Sequence, residues 1–530
     1  MMKSDQESTE RLVAAPLSLD GWEPPHPVAR AIFTGTIAIP EPSPYSPNFR
    51  DQQLAMALAE LNRRWGNPVD RQLAAWLSGA RVVVSGQQPG LLGGPLLSLI
   101  KACAVAAQVA RLQAEGHEAV GFFWLETRDD DLPEMGWARL ALGGQLYEAR
   151  EDWRRGKTCA CAVSLSSAAR DLLDTLPLQF VSPSGRKAFD LARASFQPGM
   201  VLGEACGRLF GQMLSGLGVV LVDASIREVA FAAQGAAAKL LHSLPRGWEL
   251  LEARREYLKG LNLSSPLKLQ RTRLPFFHLQ GGKRYPLSVT DADWVKEELR
   301  AHPEHFSPNV WVRPLLQDAV LDTTVAILGN SELAYHWLTQ DLWALTEVHR
   351  PLWLLRPHVT VVSPREKRWI EKLGLSWEEL LQAKLPHRLL PSKDLLGEFA
   401  RRRDRSLDHY RRFAEKAAAA FPNLASELEA TNNRLQATFA WLEARLRNRA
   451  EQLAVTKDQR FTKLRQSLRP LGRAQERALS VLSPLLDLGE ELPPQLVALL
   501  QRLYPWEPHM FLATWQGGGK VGTEGLEPLR

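Results

Sequence analysis

Short runs of β-branched and aromatic residues recur along this chain, each closed by a turn or by the start of a helix. RVVVS (81–85), AVGFFWL (119–125), VVLVD (219–223), TVAIL (324–328) and LWLL (352–355) are unbroken apolar segments. That is the pattern of strands covered on both faces of a parallel sheet. Between the first two lie GQQPGLLGGP (86–95), a Gly-rich turn, and LLSLIKACAVAAQVARLQAEG (96–116), a helix ending at Gly116. Strand, turn, helix and strand in sequence make a βαβ unit, whose crossover imposes parallel pairing. Helical spacing is also predicted over 51–79 and 331–345. The fold class is therefore α/β, a Rossmann-like doubly wound sheet of at least five strands.

The pattern changes at both ends and in the middle. Residues 1–50 are rich in Pro and Ser and read as an extended N-terminal arm. The core occupies 51–229 and 311–390, interrupted by an inserted subdomain over 230–310. Within it LPFFHLQGGKRYPLSV reads as a hairpin turning at Gly281-Gly282. A helix over about 394–420 ends at Phe421-Pro422-Asn423. Beyond it Leu428, Leu435 and Leu442 interleave with Phe439, Leu446 and Leu453, an a/d heptad seam in which Asn432 and Arg449 are the polar members. Residues 391–480 are thus coiled-coil helices, paired within the chain as an antiparallel hairpin or between two copies as a homodimer. The segment 481–530 is expected to pack back on the core.

Composition narrows the class without identifying it. The chain has 530 residues, 45% apolar and 23% charged, as in globular proteins. Its net charge of +6 is regional, since 401–480 holds 18 Lys/Arg against 9 Asp/Glu. The aromatics there lie in the helical seam rather than among the basic residues, so a solvated coiled-coil surface is favoured over an RNA-binding face. Four cysteines make no disulfide framework. No signal peptide or membrane span is read, and the expected compartment is the cytoplasm. Cys159 and Cys161 have no further Cys pair or nearby His, so no metal site is assigned.

In open parallel sheets ligands bind beyond the carboxyl ends of the strands. The first strand delivers Gln87, Gln88, Gly90, Gly93 and Gly94 there, with a helix N-terminus behind them able to face an anion. The second delivers Arg128, Asp129, Asp130, Asp131 and Glu134. These acids could hold a substrate ammonium or Mg²⁺ or act as a base, with Arg128 compensating their charge. An exposed charged turn explains them equally well. The fourth delivers Asn330, Ser331, Glu332 and Tyr335, and the fifth Arg356. In FSPNVWVRPLLQD (306–318), Arg313 and Gln317 share a helical face; Arg313 could clamp a carboxylate or pair with Asp318.

Five dispersed motifs occur in one order: VVVSGQQPGLLGGPLLSLIK, the FFW strand with its acidic run, FSPNVWVRPLLQD, the segment 329–335 and LRPLGRAQER (468–477). From about residue 30 onward the chain resembles the BshC family, the cysteine ligase of bacillithiol biosynthesis. The resemblance implies a Rossmann-like core with connecting-peptide subdomains and a dimerising coiled coil. It also implies a reaction joining cysteine to the nitrogen of glucosaminyl-malate. The ligase class further implies ATP and Mg²⁺, although the sequence carries no nucleotide fingerprint. On charge matching, Asp129, Asp131 and Glu134 would bind the cysteine ammonium or Mg²⁺, and Arg313 and Arg356 the malyl carboxylates. Two departures stand out. The family usually has Glu-Asp-His-Asp at Arg128–Asp131 and Gly-Gly-Pro-Gly-Glu at Leu328–Glu332. A ligand-binding homologue without the reaction, its site repurposed at Arg128 and Asp130, is the competing expectation.

Overall fold

The computed structural model describes residues 11–18, 26–44, 50–154, 156–376, 379–380, 393–457, 459–504, 506 and 509–516. The other residues of the expected arm, of the core's end near 390 and of the C-terminal segment lie outside the described residues. The chain divides into two units, Met1–Lys367 with Arg473–Arg530, and Arg368–Gly472.

The first unit is built on a five-stranded, all-parallel sheet. Its strands are Arg81–Gln87, Ala119–Leu125, Val219–Asp223, Val325–Leu328 and Leu352–Leu355. In space the order is Leu352–Leu355, Val325–Leu328, Arg81–Gln87, Ala119–Leu125, Val219–Asp223. All five match the apolar runs. Alternation across the pleat sends successive side chains to opposite faces. Phe122 thus meets Trp76 of the Asp70–Leu77 helix edge-on at 5.6 Å, while Phe123 meets Phe210 of the Leu202–Leu214 helix at 5.5 Å. Gly121 lets the Leu97–Ala114 helix approach the sheet, because a Cβ there would lie 2.6 Å from Val105. That helix is buried almost all round, which is why its sequence shows no polar stripe.

The chain leaves the central Arg81–Gln87 strand in one direction along the sheet and later returns to its other side through Val325–Leu328. The strand order reverses between these two, and a crevice opens at such a point.

Several expectations are corrected. The helix expected over 51–79 is two, Gln52–Arg64 and Asp70–Leu77, broken where Gly66 takes a positive φ of 79° ahead of Pro68. The 331–345 helix likewise divides into Asn330–Thr339 and Leu342–Leu345. The arm is not simply extended: Pro27–Phe33 is helical, begun by Pro27 and too short to show a period. A second sheet was not anticipated. In it His509–Gln516 pairs antiparallel with Arg11–Ser18 and parallel with His358–Val362. The insertion does contain the expected hairpin, Arg273–Gln280 with Lys283–Ser288. Gly281 and Gly282 both have positive φ, 57° and 72°, as a tight two-residue hairpin turn requires. Phe306–Pro308 adds a third strand to it.

In the second unit Lys393–Ala420 and Ala425–Lys457 form an antiparallel hairpin of long helices. Phe399 packs on Phe439, Tyr410 donates to the Leu428 carbonyl, and Arg403 pairs with Glu443. The seam therefore faces its own chain. Leu428, Asn432, Leu435, Phe439 and Leu446 are half-buried in it, but Leu442 and Arg449 are exposed. A straight helix drifts about 20° per heptad relative to a strict repeat, and after Phe439 the contact line passes through Glu443, Leu446 and Ala450 instead. The side chain of Leu453 lies outside the described residues.

Candidate functional site

A cleft of about 640 Å³ occupies the reversal point, wholly within the first unit. It is lined by the ends of four central strands. Gln87, Gln88 and Gly90 come from the first, Glu126, Asp129 and Glu134 from the second. Asn330, Ser331, Glu332 and Tyr335 follow the fourth, Arg356 follows the fifth, and Arg313 comes from the Arg313–Leu321 helix. Four further residues of the wall carry chemistry the sequence pattern did not single out: Lys101, Arg284, Arg473 and Arg477. Six cations face four carboxylates, so the cleft has a net positive wall.

One member of the wall is a buried lysine. Lys101 projects from the Leu97–Ala114 helix and is 2% exposed. Its Nζ donates to Gly86 O at 2.7 Å, Gln87 Oε1 at 3.1 Å and Glu332 Oε2 at 2.7 Å. Glu332 also accepts the Gly329 N–H at 2.6 Å, capping the Asn330–Thr339 helix. Burial opposes ionisation of Glu332, but Lys101, that N–H and Arg313 outweigh it and hold the pKa at about 2. A lone Lys in an otherwise apolar helix was the available signal for this pair.

The linkage has a definite sign. A carboxyl whose pKa falls on folding from an unfolded value of about 4.3 contributes stability above that value. The contribution is lost as pH falls through the folded pKa. Acid destabilisation between about pH 4.3 and 2 should therefore be shallower in Glu332→Gln than in the parent. Thermal unfolding followed across that range measures it; identical slopes would refute the assignment.

Arg313 donates through Nη2 to Tyr335 Oη at 3.1 Å, and its Nε lies 3.6 Å from Glu126. It does not pair with Asp318, which is buried and accepts from Trp343 Nε1 at 2.9 Å. Burial raises the pKa of Glu126, with Asp129 adding to the effect and Arg313 opposing it. Burial also raises that of Glu134, reinforced by Asp131 and Asp129 against Arg477 and Arg473. The cleft thus holds two carboxyls biased toward taking a proton.

The acidic run behaves differently from its charge pattern. Asp129 accepts from Gln88 Nε2, from the backbone N–H groups of Asp130 and Asp131 at 2.7 and 3.3 Å, and from Arg284 at 3.3 Å. Arg284 also holds Asp130 at 2.8 Å. Compensation therefore comes from Arg284 on the inserted hairpin, not from Arg128. Arg128 is buried, donates to Phe306 O at 2.9 Å and does not line the cleft; nor do Asp130 and Asp131. Such a bonded Asp129 is a poor Mg²⁺ ligand. Among the described residues no group of three or more His, Cys, Asp or Glu at metal-ligand spacing lies in this cleft.

Three other expectations change role. Gly93 and Gly94 lie behind the wall: Gly93 (φ 89°) meets Leu209 and Val481, and Gly94 (φ 70°) meets Gly90. The Leu97–Ala114 helix terminus is partly closed, with Leu96 N–H given to Leu479 O. Gln317 lies with Arg128 against a separate, mostly apolar cavity of about 40 Å³. Arg356 reaches the cleft, yet its Nη atoms bind Glu476 at 2.7 and 3.0 Å. Glu476 also takes His358 Nδ1 and Val359 N–H. That charge is therefore neutralised within the protein.

Residues 41–357 match the family described as "Bacillithiol biosynthesis BshC, N-terminal Rossmann-like domain", and residues 359–505 match its C-terminal coiled-coil domain. A protein of Koribacter versatilis named "Putative cysteine ligase BshC" is 29% identical over 374 residues, covering 66% of this chain and 68% of its own. A protein of the same name from Solibacter usitatus is 26% identical over 471 residues, covering 85% and 88%.

Proposed function

This chain belongs to the bacillithiol biosynthesis BshC family, and on that premise we propose that it is a cysteine ligase acting on glucosaminyl-malate. The observation that carries this reading is the cleft at the strand-order reversal, where cations and proton-accepting carboxyls converge. Its volume of about 640 Å³ is that of a small-molecule site.

A carboxylate and an amine do not condense unaided in water, so the cysteine carboxyl must be activated. ATP, carrying its own Mg²⁺, is the proposed co-substrate. The carboxylate oxygen bonds to phosphorus as ADP or pyrophosphate leaves. The glucosamine nitrogen then attacks the carbonyl carbon, phosphate or AMP departs, and the nitrogen's proton passes to a base. Glu134 is assigned as that base, because it lines the cleft, stays open to solvent, and has its pKa raised by partial desolvation and by the charges of Asp131 and Asp129. Arg313, Arg473 and Arg477 supply charge for the malyl carboxylates and the activated group. Asp129, with Gln88 and Arg284 bound to it, positions the second-strand loop.

The departures at Arg128 and Asp130 lie off the cleft wall, whereas those at Asn330 and Ser331 lie on it. Incubation of the pure chain with cysteine, glucosaminyl-malate and ATP should yield the amide, detected by mass spectrometry. Absence of product beside an active control enzyme would refute the reading. Homodimerisation through the second unit is also proposed, supported by Phe413, Trp441 and Leu442 exposed on its helices. A cytoplasmic setting is proposed from four unpaired cysteines. Among the described residues no helix is long and apolar enough to cross a membrane.

A further inference from the structure

The inserted subdomain carries a second group of chemistry-bearing side chains away from the cleft wall. His302, Glu304 and His305 each offer a ligand atom, and these atoms lie within 4.8 Å of one another. Local backbone explains the grouping. Pro303–His305 is a 3₁₀ turn, in which positions three apart eclipse, so His302 and His305 come over one another. Their rings stack with centroids 4.9 Å apart and planes at 20°.

Two features go beyond proximity. Oε2 of Glu304 is buried without a hydrogen-bond partner, a costly state for a carboxylate oxygen that a cation would relieve. Nδ1 of His305 lies 2.8 Å from Glu298 Oε1. A proton shared there leaves Nε2 with its lone pair, and a carboxylate behind a ligating imidazole raises its basicity. The side chains of His302, Glu304 and His305 remain 52%, 26% and 43% exposed, open to an ion from solution.

We propose that His302, Glu304 and His305 form a binding site for a divalent late first-row transition cation of the zinc class, with water completing the coordination. Two imidazoles and one carboxylate suit such an ion, whereas Mg²⁺ and Ca²⁺ prefer oxygen ligands throughout. The ion would join the end of the Ala292–Ala301 helix, which carries Glu298, to the Phe306–Pro308 strand. Carbonyls of that strand accept from Arg128 and Arg284, so the ion would stiffen the support of the second-strand loop. The inference does not depend on the ligase reading.

The test uses the full chain after chelation and desalting, titrated calorimetrically with ZnCl₂ at neutral pH, with MgCl₂ as control. One Zn²⁺ per chain is expected and no Mg²⁺ heat. The double variant His302→Ala/His305→Ala should lose the site, and Glu298→Gln should weaken it about tenfold or more. His302→Gln, at a half-exposed position, serves if the double variant misfolds, circular dichroism reporting the fold. Co²⁺ bound to the parent should show visible d–d bands without thiolate charge transfer. Absence of Zn²⁺ binding, unchanged binding in a folded His302 variant, or a thiolate signature would each overturn the proposal.

Discussion

Replacing Glu134 by glutamine is expected to lower kcat for amide formation by about 10²–10⁴, the range for removing a general base. KM for both substrates should stay close to the parent value. Glutamine keeps the volume of the side chain and its ability to accept a hydrogen bond, so the cleft should stay intact. The pH profile separates proton transfer from mere shape. In the parent, burial and the neighbouring Asp131 and Asp129 raise the Glu134 pKa. The base works only when deprotonated, so kcat/KM should fall as pH drops through that raised value. In the variant this acid limb should vanish along with most of the rate. An unchanged kcat, or a limb that survives the substitution, would remove Glu134 from the mechanism and leave Glu126 as the carboxyl to test.

Lys101→Met should be among the most destabilising single changes in the first unit. The substitution removes three donor contacts at once, leaving Gly86 O and Gln87 Oε1 without the donor and the partly buried Glu332 without its ammonium partner. Breaking one side of a buried ion pair costs about 3–5 kcal/mol, and because the Gly329 N–H and Arg313 still face the partly exposed Glu332 the loss should lie toward the lower end. The second change Glu332→Gln removes that charge, and the double variant should recover a large part of the loss. Thermal unfolding of the four members of this cycle measures the coupling. Additive losses would show that Lys101 and Glu332 act independently, contrary to the 2.7 Å contact between them.

Legibility in the sequence followed the range of the interaction. The five parallel strands were visible because burial on both faces writes an unbroken apolar run, as in Val219–Asp223. The hairpin at Gly281-Gly282 was visible because its turn demands two positive φ values. The second sheet was not, since Arg11–Ser18 and His509–Gln516 draw their pairing from each other across the whole chain. The strand-end rule brought Gln88, Glu134, Asn330 and Glu332 to one cleft, and the helical-face reading added Arg313. It could not see that Arg128 would turn away to Phe306 O, nor that Arg356 would be neutralised by Glu476, 120 residues later. Ion-pair choice depends on which cation arrives from a distant segment, and neither spacing nor composition encodes that. Lys101 was legible only as an irregularity in an apolar helix, and only burial beside Glu332 gave it meaning.

The late arrival of Glu476, Arg473 and Arg477 has a consequence for biosynthesis of the protein. The parallel layer is complete once Leu352–Leu355 has left the ribosome, but its rim still lacks two ionic members of the cleft, Arg473 and Arg477, and the Glu476 clamp. The intervening helical hairpin must be translated first. At about 5–20 residues per second this takes several seconds or more. During that interval Arg356 and His358 are without Glu476, and the Gly94–Pro95 turn is without the Leu479–Val481 segment that bonds to it. A nascent chain stalled before residue 473 should therefore present a protease-sensitive, substrate-incompetent rim. Catalytic competence would then appear only after residues 473–481 have been added to the chain.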